Sequence, residues 1–262
     1  FEKMLYDQAL LAITYIDAHQ LTRKKVYKKT AREVFTYVQR DMTDAGGGFY
    51  SAQDADSEGV EGLFYVWTPE EVMGALGKEE GQLVCDFYGI RPGGNFEGGR
   101  SIAHIPVSAE AFAAKRDMEI AELEAILETA RGTLLALRQE RIPPLKDDKI
   151  LTAWNGLMIA AFSRGYQAFG EDAYLDAARK AAAFVFGNLR KDGWLVRRYR
   201  DGHTAHRACL DDYAYLIWGL IELYEAAFEV YYLEEALTLT KEMLERFWDE
   251  DSGGFFFTGA QG

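Results

Sequence analysis

A pattern that occurs three times along the chain constrains the fold more than any other feature of the sequence. Each copy has an aromatic or acidic residue followed by Asp or Asn at the start of an apolar helix, then a second helix near a Tyr, then Gly and an aromatic residue. The Asp or Asn precedes the Tyr by 19 or 20 residues, and the Tyr precedes the final aromatic residue by 20 to 23. The copies contain Tyr6-Asp7, Tyr27 and Gly48-Phe49; Trp154-Asn155, Tyr174 and Gly193-Trp194; and Asp211-Asp212, Tyr232 and Gly254-Phe255.

Each copy is predicted to be an antiparallel pair of helices. Apolar residues recur at spacings of three and four, which places them on one helix face. A short connection makes two such helices antiparallel neighbours. The Gly-aromatic element that follows each pair is predicted to be a short strand or β-hairpin. The helix face is clearest in the second helix of the first copy, with Tyr27, Ala31, Val34 and Val38.

Two further helices are predicted between the first and second copies. Thr68-Pro69-Glu70-Glu71 is a capping box with Pro at the first helical position, so a helix begins there and continues toward Phe87. Helical spacing of apolar residues predicts another helix from Glu119 to Gln139. A β-hairpin is predicted from GGGFYSAQ and GLFYVWT, on either side of an acidic turn.

The fold class predicted from these elements is mostly α, with about eight or nine helices and short β-hairpin insertions. Hairpins of uniform length stack as open solenoids, whereas the unequal spacing of these copies favours an α/α toroid with insertions at one mouth. A ring of six hairpins needs about a dozen helices. Residues 1–262 are therefore interpreted as one partial α/α-toroid domain, a fragment of a longer chain without its first hairpins.

Composition narrows the classes of function. The chain has 29 Lys and Arg against 42 Asp and Glu, and its net charge of -13 disfavours nucleic acid as a partner. No apolar run is long enough to span a membrane. Cys85 and Cys209 lie far apart in the sequence, which argues against a disulfide framework and favours a reducing, cytoplasmic location.

Five strings along the chain resemble one known family. FEKMLYD, GGGFYSAQDADSEGVEGLFYVWT, GNFEG, DDKILTAWNGLMI and LDDYAYLI stand in the order seen in the YyaL-type family, which includes the spermatogenesis-associated thioredoxin-like proteins. The resemblance implies an all-α domain related to six-hairpin glycosidases and N-acylglucosamine 2-epimerases. It also implies a thioredoxin-like domain in cis as a partner. The cysteine motif of that domain is missing from residues 1–262, so redox chemistry is not carried over to them.

The densest acidic segment, DADSEGVE, is a candidate catalytic turn. Asp54, Asp56 and Glu58 are predicted to supply an acid and a base for chemistry on a sugar, with one carboxyl group in an apolar pocket. Tyr50 and Trp67 lie close by in the sequence as surfaces on which a sugar ring stacks. The alternative is a solvated turn that uses Asp, Ser and Gly for its backbone geometry.

No metal site and no cofactor are predicted. The acidic turn matches the first positions of a calcium loop, but its twelfth position is Tyr65, where a bidentate Glu is needed. His203 and His206 have no third zinc ligand near them in the sequence. Phosphate-binding and dinucleotide-binding glycine motifs are missing as well.

Acidic or amide residues are predicted in the first turn of the first helix of each copy, at Asp7, Asn155, Asp211 and Asp212. Such residues also cap helices and suit the helix dipole, so a structural role explains each of them equally well. Because capping needs only one carboxylate, the doubled Asp211-Asp212 is the stronger functional candidate. The neighbouring aromatic residues predicted to contact a sugar are Trp154 and Tyr213.

A basic cluster lies before this acidic pair in the sequence. Arg198 and Arg207 are predicted to hold a carboxylate or phosphate group of a substrate, and surface ion pairing is the alternative. His206, with His203 as the other choice, is the imidazole best placed for proton transfer. The whole cluster consists of Arg197, Arg198, Arg200, His203, His206 and Arg207.

The leading hypothesis is a domain that binds a sugar or sugar derivative at an acidic, aromatic mouth and acts on it by acid–base chemistry. Glycoside hydrolysis and sugar epimerisation or isomerisation are both open. The alternative is a non-catalytic scaffold that serves a thioredoxin-like domain of the same polypeptide. An unclosed ring also allows an oligomer that forms through its open flank.

Overall fold

The computed structural model of the protein describes residues 1–259, and the chain divides into two compact units. The hairpin unit consists of Lys3–Gln53 and the chain from Lys146 onward, and the insert unit consists of Phe1–Glu2 and Asp54–Leu145. The sequence predicted one partial domain over 1–262. That interpretation stays a prediction. Within it, the repeated hairpins form one compact unit, and the chain between the first and second copies forms a separate compact insertion.

Helices dominate the structure, as the sequence predicts. The described residues contain ten α-helices, one or two more than expected. They are α1 (Leu5–Thr22), α2 (Lys25–Asp41), α3 (Pro69–Leu76), α4 (Lys78–Phe87), α5 (Ala109–Lys115), α6 (Ile120–Gln139), α7 (Thr152–Phe169), α8 (Asp172–Asn188), α9 (Leu210–Ala227) and α10 (Val230–Phe247).

The nine strands among residues 1–259 are short. The hairpin unit contains seven of them, and the insert unit contains β3 and β4. They are β1 (Lys3–Met4), β2 (Ala52–Gln53), β3 (Asp56–Ser57), β4 (Val60–Glu61), β5 (Lys146–Asp147), β6 (Ile150–Leu151), β7 (Arg190–Lys191), β8 (Trp194–Arg200) and β9 (His203–Arg207).

The three copies of the sequence pattern form the helix pairs α1–α2, α7–α8 and α9–α10, as predicted. In each pair the first helix ends on a left-handed residue, whose φ is 60° at Arg23, 69° at Gly170 and 55° at Phe228. The amide of that residue donates a hydrogen bond to the carbonyl four residues earlier. This cap stops the first helix and reverses the chain within two residues.

The first helices of the three pairs form one layer of the hairpin unit. Helix α7 packs along α1 on one side and α9 on the other, and α2, α8 and α10 each pack against the first helix of their own pair. Gly156 of α7 and Gly219 of α9 lie where these two helices meet, because a Cβ added to Gly219 would come within 2.4 Å of the Gly156 carbonyl oxygen. The close approach buries α7 along most of its length.

Small sheets join the ends of the helix pairs. Strand β2 lies between β1 and β5, and β8 pairs with β6, β7 and β9, all antiparallel. The predicted hairpin between GGGFYSAQ and GLFYVWT is wrong, because β2 pairs with β1 and β5 and the acidic turn closes on itself through β3 and β4. Trp67 forms its bridge with Ser101 instead.

The insert unit has its own apolar core, to which α3, α4, α5 and α6 all contribute. The predicted capping box is present: the Thr68 hydroxyl accepts from the Glu71 amide, and the Glu71 carboxylate accepts from the Thr68 amide. Gly77, with φ 81°, divides the predicted helix into α3 and α4. Within residues 1–259 no helix is both long and apolar enough to cross a membrane.

Candidate functional site

The first turn of α9 contains a buried carboxylate. The Asp212 side chain is 1% exposed. Its Oδ2 accepts from the Cys209 amide at 2.9 Å, and its Oδ1 accepts from the amide of Ala153, in the first turn of α7, at 3.1 Å. Asp212 therefore caps its own helix and also ties the N-terminus of α9 to that of α7.

Arg197 of β8 joins Asp212 to Asp211. Its two terminal nitrogens donate to the two carboxylate oxygens of Asp211 at 3.2 and 3.3 Å, and one of them also donates to Asp212 at 3.3 Å. The Asp211 side chain is 27% exposed. The arrangement therefore presents one carboxylate to solvent and holds a second carboxylate behind it in the protein interior.

Burial dominates the electrostatics of the pair. It raises the pKa of Asp212 to about 6, with a further upward contribution from the Asp211 charge. Hydrogen bonds from the Cys209 and Ala153 amides and the charge of Arg197 oppose this rise. The two carboxylates in turn raise the pKa of Arg197 in spite of its partial burial. Asp212 consequently changes its protonation state close to neutral pH.

This raised pKa predicts a stability that depends on pH. The folded state binds the Asp212 proton at higher pH than the unfolded state, so this group stabilises the fold below about pH 4 and the stabilisation is lost as the pH rises through about 6. We expect the wild-type free energy of unfolding, relative to that of Asp212→Asn, to increase by about 2–3 kcal/mol from pH 7 to pH 4. Urea titrations across this range measure the difference, and a constant difference would contradict the assignment.

The same cluster has the composition of a candidate cation site. The Cys209 Sγ and one carboxylate oxygen each of Asp211 and Asp212 lie within 4.8 Å of one another. However, both oxygens of Asp212 already accept hydrogen bonds, and the Arg197 guanidinium supplies the positive charge. The donor set therefore fits an acid pair neutralised by arginine better than a metal ion.

The predicted basic cluster is distributed over several separate contacts. Arg200 pairs with Asp148 at 2.6 Å, and the Arg207 guanidinium lies 4.3 Å from the centre of the Trp194 ring. The Nε of Arg198 is buried and makes no hydrogen bond within the described residues. His203 and His206 are exposed, and His206 has a left-handed φ of 63°. The structure thus places Arg197, rather than Arg198 or Arg207, on the acid pair.

Two of the predicted sugar contacts are buried instead. Asn155 is 0% exposed; its Oδ1 accepts from the Phe49 amide at 2.8 Å, and its Nδ2 donates to the Phe49 carbonyl at 3.0 Å. Tyr213 is also 0% exposed, and its hydroxyl contacts Glu242 and Arg246. These side chains hold a loop and a helix pair in place, and neither presents a polar atom to a substrate.

Other predicted contacts remain accessible. Asp7 is exposed in the first turn of α1, next to Tyr6, whose ring meets the ring of Trp154 edge-on at 4.9 Å between centres. Tyr50 is half-buried and its hydroxyl donates to Asp44. Burial, together with that bond, raises the pKa of Tyr50 to about 12. It is therefore a neutral hydrogen-bonding group at physiological pH.

The predicted catalytic turn lies in the insert unit. Asp54, Asp56 and Glu58 are exposed, and the Asp54 carboxylate accepts from the backbone amides of the next two residues. Glu58 occupies a left-handed position with φ 55°. Within residues 1–259 these three carboxyl groups are exposed to solvent, so none of them lies in the apolar pocket that the prediction requires. Trp67 is only 6% exposed and lies beneath the Arg141 guanidinium, at 4.1 Å.

Two features of the site were missing from the predicted set. Arg197 lies in the basic cluster of the sequence, and its spacing of two residues from Leu195 and from Tyr199 places all three on one face of a strand, which predicts that Arg197 faces inward. The Phe257 carbonyl accepts from the Leu210 amide at 3.0 Å, which places an exposed aromatic residue beside the start of α9. The Gly-aromatic element of the third copy was the available signal for it.

The arrangement of paired helices defines a fold class, and comparison with solved structures identifies it as that of the six-hairpin glycosidases. The chain is similar to a family 76 glycoside hydrolase (mannosidase) from Bacteroides thetaiotaomicron, with a TM-score of 0.51 and 11% identity over 97% of this chain and 48% of that one. It is also similar to an unsaturated glucuronyl hydrolase from Bacillus sp. GL1, with a TM-score of 0.54 and 13% identity over 99% and 51%.

Sequence comparison then gives the particular family. The chain is 34% identical over its whole length to spermatogenesis-associated protein 20 of Homo sapiens and of Mus musculus. These proteins are homologues that cover the whole of this chain, in agreement with the resemblance of the five sequence strings. The chain spans 38% and 37% of the length of these relatives. No family model matches the chain.

Proposed function

We propose that the hairpin unit acts on a carbohydrate by proton transfer and that Asp211 is the group that contacts the substrate. The observation that carries the proposal is the carboxylate pair at the start of α9, in which Asp211 is partly exposed and is held by Arg197 against the buried Asp212. A carboxyl group fixed in this way is poised to exchange a proton with a bound molecule. The similarity of fold to glycoside hydrolases supports a carbohydrate as the class of substrate.

The two carboxylates have different roles in this proposal. Asp212 is too deeply buried to touch a substrate, so it is a positioning residue that orients Arg197 and, through it, Asp211. Protonation of Asp212 near pH 6 removes one of the two charges that bind Arg197, which changes how firmly Asp211 is held. The reactivity of Asp211 is therefore expected to follow the protonation state of its neighbour.

The geometry favours isomerisation or epimerisation over hydrolysis. Glycoside hydrolases commonly use two carboxylates that flank the bond to be broken. Of the two carboxylates only Asp211 reaches solvent, so the pair does not supply two flanking groups. Isomerisation needs only one such carboxylate, which takes the proton from the carbon beside the sugar carbonyl and returns it to the former carbonyl carbon, while the neighbouring hydroxyl proton passes to the carbonyl oxygen with the aid of a hydrogen-bond donor. Epimerisation by one carboxylate requires in addition that the enediolate turn over, so that the proton returns to the opposite face of the same carbon. Arg197 is the donor nearest to Asp211.

Exchange of solvent deuterium into a sugar tests this proposal. Aldoses, ketoses, uronates and hexosamines are incubated with the protein in heavy water, and deuterium next to the carbonyl is followed by NMR. We expect Asp211→Asn to slow exchange at least about a hundredfold, because it removes the proton-transferring group. Asp172→Asn, an exposed first-turn residue of α8, is the matched control and should keep the wild-type rate.

Two outcomes would contradict the assignment. One is exchange that continues at the wild-type rate in Asp211→Asn, and the other is a lack of exchange with every sugar in the set. Release of reducing ends from oligosaccharides, measured in parallel, identifies hydrolysis if that is the activity. Faster exchange with uronates than with neutral hexoses, lost in Arg198→Gln, would support the prediction that Arg198 holds a substrate carboxylate.

A non-catalytic scaffold is the second candidate function. The observation in its favour is that the polar side-chain atoms of Asp212, Asn155 and Tyr213 form hydrogen bonds within the protein. If the domain is a scaffold, Asp211→Asn should weaken only the surface ion pair with Arg197 and should leave the other measured properties unchanged. The partner expected from the sequence, a thioredoxin-like domain in cis, and an oligomer through an open flank stay predictions.

A further inference from the structure

The insert unit contains an open cavity with a volume of about 220 Å³. One wall is formed by α6. The rest of the lining is formed by Trp67, Tyr88, Ile90 and Ala103. Trp67 and Ile90 are 6% and 4% exposed and belong to the core of the unit, so this part of the lining is fixed by close packing. The cavity is distinct from the carboxylate pair, which belongs to the hairpin unit.

The helical wall has a regular chemical pattern. Arg131, Leu134, Leu135 and Arg138 all line the cavity. They are spaced at i, i+3, i+4 and i+7, which places them on one face of α6. The two Arg residues are separated by two helical turns, about 10.5 Å along the axis. Leu134 and Leu135 therefore lie between the two arginines along the face of α6 that lines the cavity.

Arginine contributes positive charge to this region on a chain whose net charge is -13. The Arg138 guanidinium lies 5.2 and 5.3 Å from the ring centres of Phe64 and Tyr65. Arg131 pairs with Glu128, whose side chain is 75% exposed, so water screens this ion pair and it contributes at most about 1 kcal/mol. The residues that line the cavity include no carboxylate.

Shape and charge together define the ligand. A volume of about 220 Å³ equals the liquid volume of roughly seven water molecules, and it is below the range of pockets for drug-sized ligands. We propose that the cavity binds a small amphipathic carboxylate, of the size of one aromatic ring with a short acidic arm. The ring packs between Trp67 and the two leucines, and the carboxylate pairs with Arg131 or Arg138, because arginine binds carboxylates in a planar, two-pronged geometry.

Phenylacetate is the probe, and phenylacetamide is its uncharged analogue of nearly the same shape. Binding to the whole chain is measured by calorimetry and by NMR of the Leu134 and Leu135 methyl groups. We expect saturable binding of phenylacetate with a Kd of about 1 mM, the range for so small a ligand, and binding of the amide at least about tenfold weaker. Higher salt should weaken the binding of phenylacetate only.

Variants distinguish binding through the two arginines from nonspecific hydrophobic binding. Arg131→Gln/Arg138→Gln should lower the affinity for phenylacetate at least about tenfold and remove its advantage over the amide. Arg116→Gln, which changes another exposed arginine of the insert unit, should bind like the wild type. If the double variant does not fold, the comparison of acid with amide and the response to salt in the wild type still decide the matter.

Three results would overturn the inference: an absence of saturable binding, equal affinity for acid and amide, or methyl shifts that appear elsewhere than in α6. None of these results depends on Asp211, so failure of this inference is distinguishable from failure of the proposed function.

Discussion

Replacement of Asp212 by Ala is expected to lower the free energy of unfolding by about 3–5 kcal/mol. The substitution leaves the buried amide of Ala153 and the half-buried amide of Cys209 without their acceptor, and it takes one of two carboxylates from Arg197. Each buried donor that loses its partner costs about 1–3 kcal/mol. Because Asp212 connects the starts of α7 and α9, the loss is expected to affect the whole hairpin unit.

The neighbouring carboxylate is the matched control for this prediction. Asp211 contacts the same guanidinium, yet it is partly exposed and bonds to no backbone amide of α7. Asp211→Ala is therefore expected to cost at most about 1 kcal/mol, the usual value of a surface ion pair. Urea denaturation followed by circular dichroism measures both variants. Equal losses would show that the buried hydrogen bonds of Asp212 are not the source of its stabilising effect.

Replacement of Gly156 by Ala is expected to destabilise the hairpin unit by at least about 3 kcal/mol. A Cβ at this position would lie 2.5 Å from the carbonyl carbon and oxygen of Tyr215 and 2.6 Å from the Leu216 nitrogen. These are backbone atoms of α9, so no side chain can rotate away. The two helices would have to separate, and the contacts along the whole α7–α9 interface would loosen.

The opposite sign is expected at a glycine that has space around it. Gly187 lies near the end of α8, and a Cβ there would meet no atom within 4 Å. Gly187→Ala should therefore stabilise the protein by up to about 0.5–1 kcal/mol, because alanine loses less backbone entropy on folding. Thermal unfolding of the two variants side by side checks the contrast. A Gly156→Ala variant as stable as Gly187→Ala would contradict the close helix contact.

The helical framework could be predicted because its signals are local. Spacings of three and four residues predict helices, and the recurrence of Asp or Asn, Tyr and Gly-aromatic at fixed intervals predicts that three pairs share one design. The capping box at Thr68 likewise marks the start of α3 correctly. The sequence does not predict the helix break at Gly77, because the packing around a glycine decides whether a helix continues through it.

The strand pairing was predicted less well because partners of β-strands lie far apart in sequence. Aromatic residues in GGGFYSAQ and GLFYVWT indicated strands, but they did not indicate which strands pair. In the structure β2 pairs with β1 and β5, at sequence separations of about fifty and ninety residues. Alternation of apolar and polar residues does not identify the partner of a strand, since every strand with a suitable apolar face shows the same alternation.

Candidate site residues could likewise be identified where the signal is local, and only incompletely where the answer depends on packing. The doubled acid at Asp211-Asp212 was identified from sequence, since helix capping explains only one of two adjacent carboxylates. Which of the two is buried, and that Arg197 holds both, depend on the packing of β8 against the start of α9. In the sequence the acidic turn at Asp54 is as strong a candidate as Asp212. The two differ in burial, because Asp54 is exposed and Asp212 is not, and burial depends on tertiary packing.

The sequence by itself determined that this chain consists of helical hairpins, that three of them follow one pattern, and that an acid pair begins the last of these. Periodicity and capping are properties of neighbouring residues, so they can be read without a structure. Only the tertiary structure decided that α7 and α9 touch through Gly156 and Gly219, that Asp212 is sealed behind Asp211, and that the insertion folds as its own unit with an arginine-rimmed cavity. Burial and charge pairing arise between residues far apart in the chain, and these set the pKa of a carboxylate and the shape of a site.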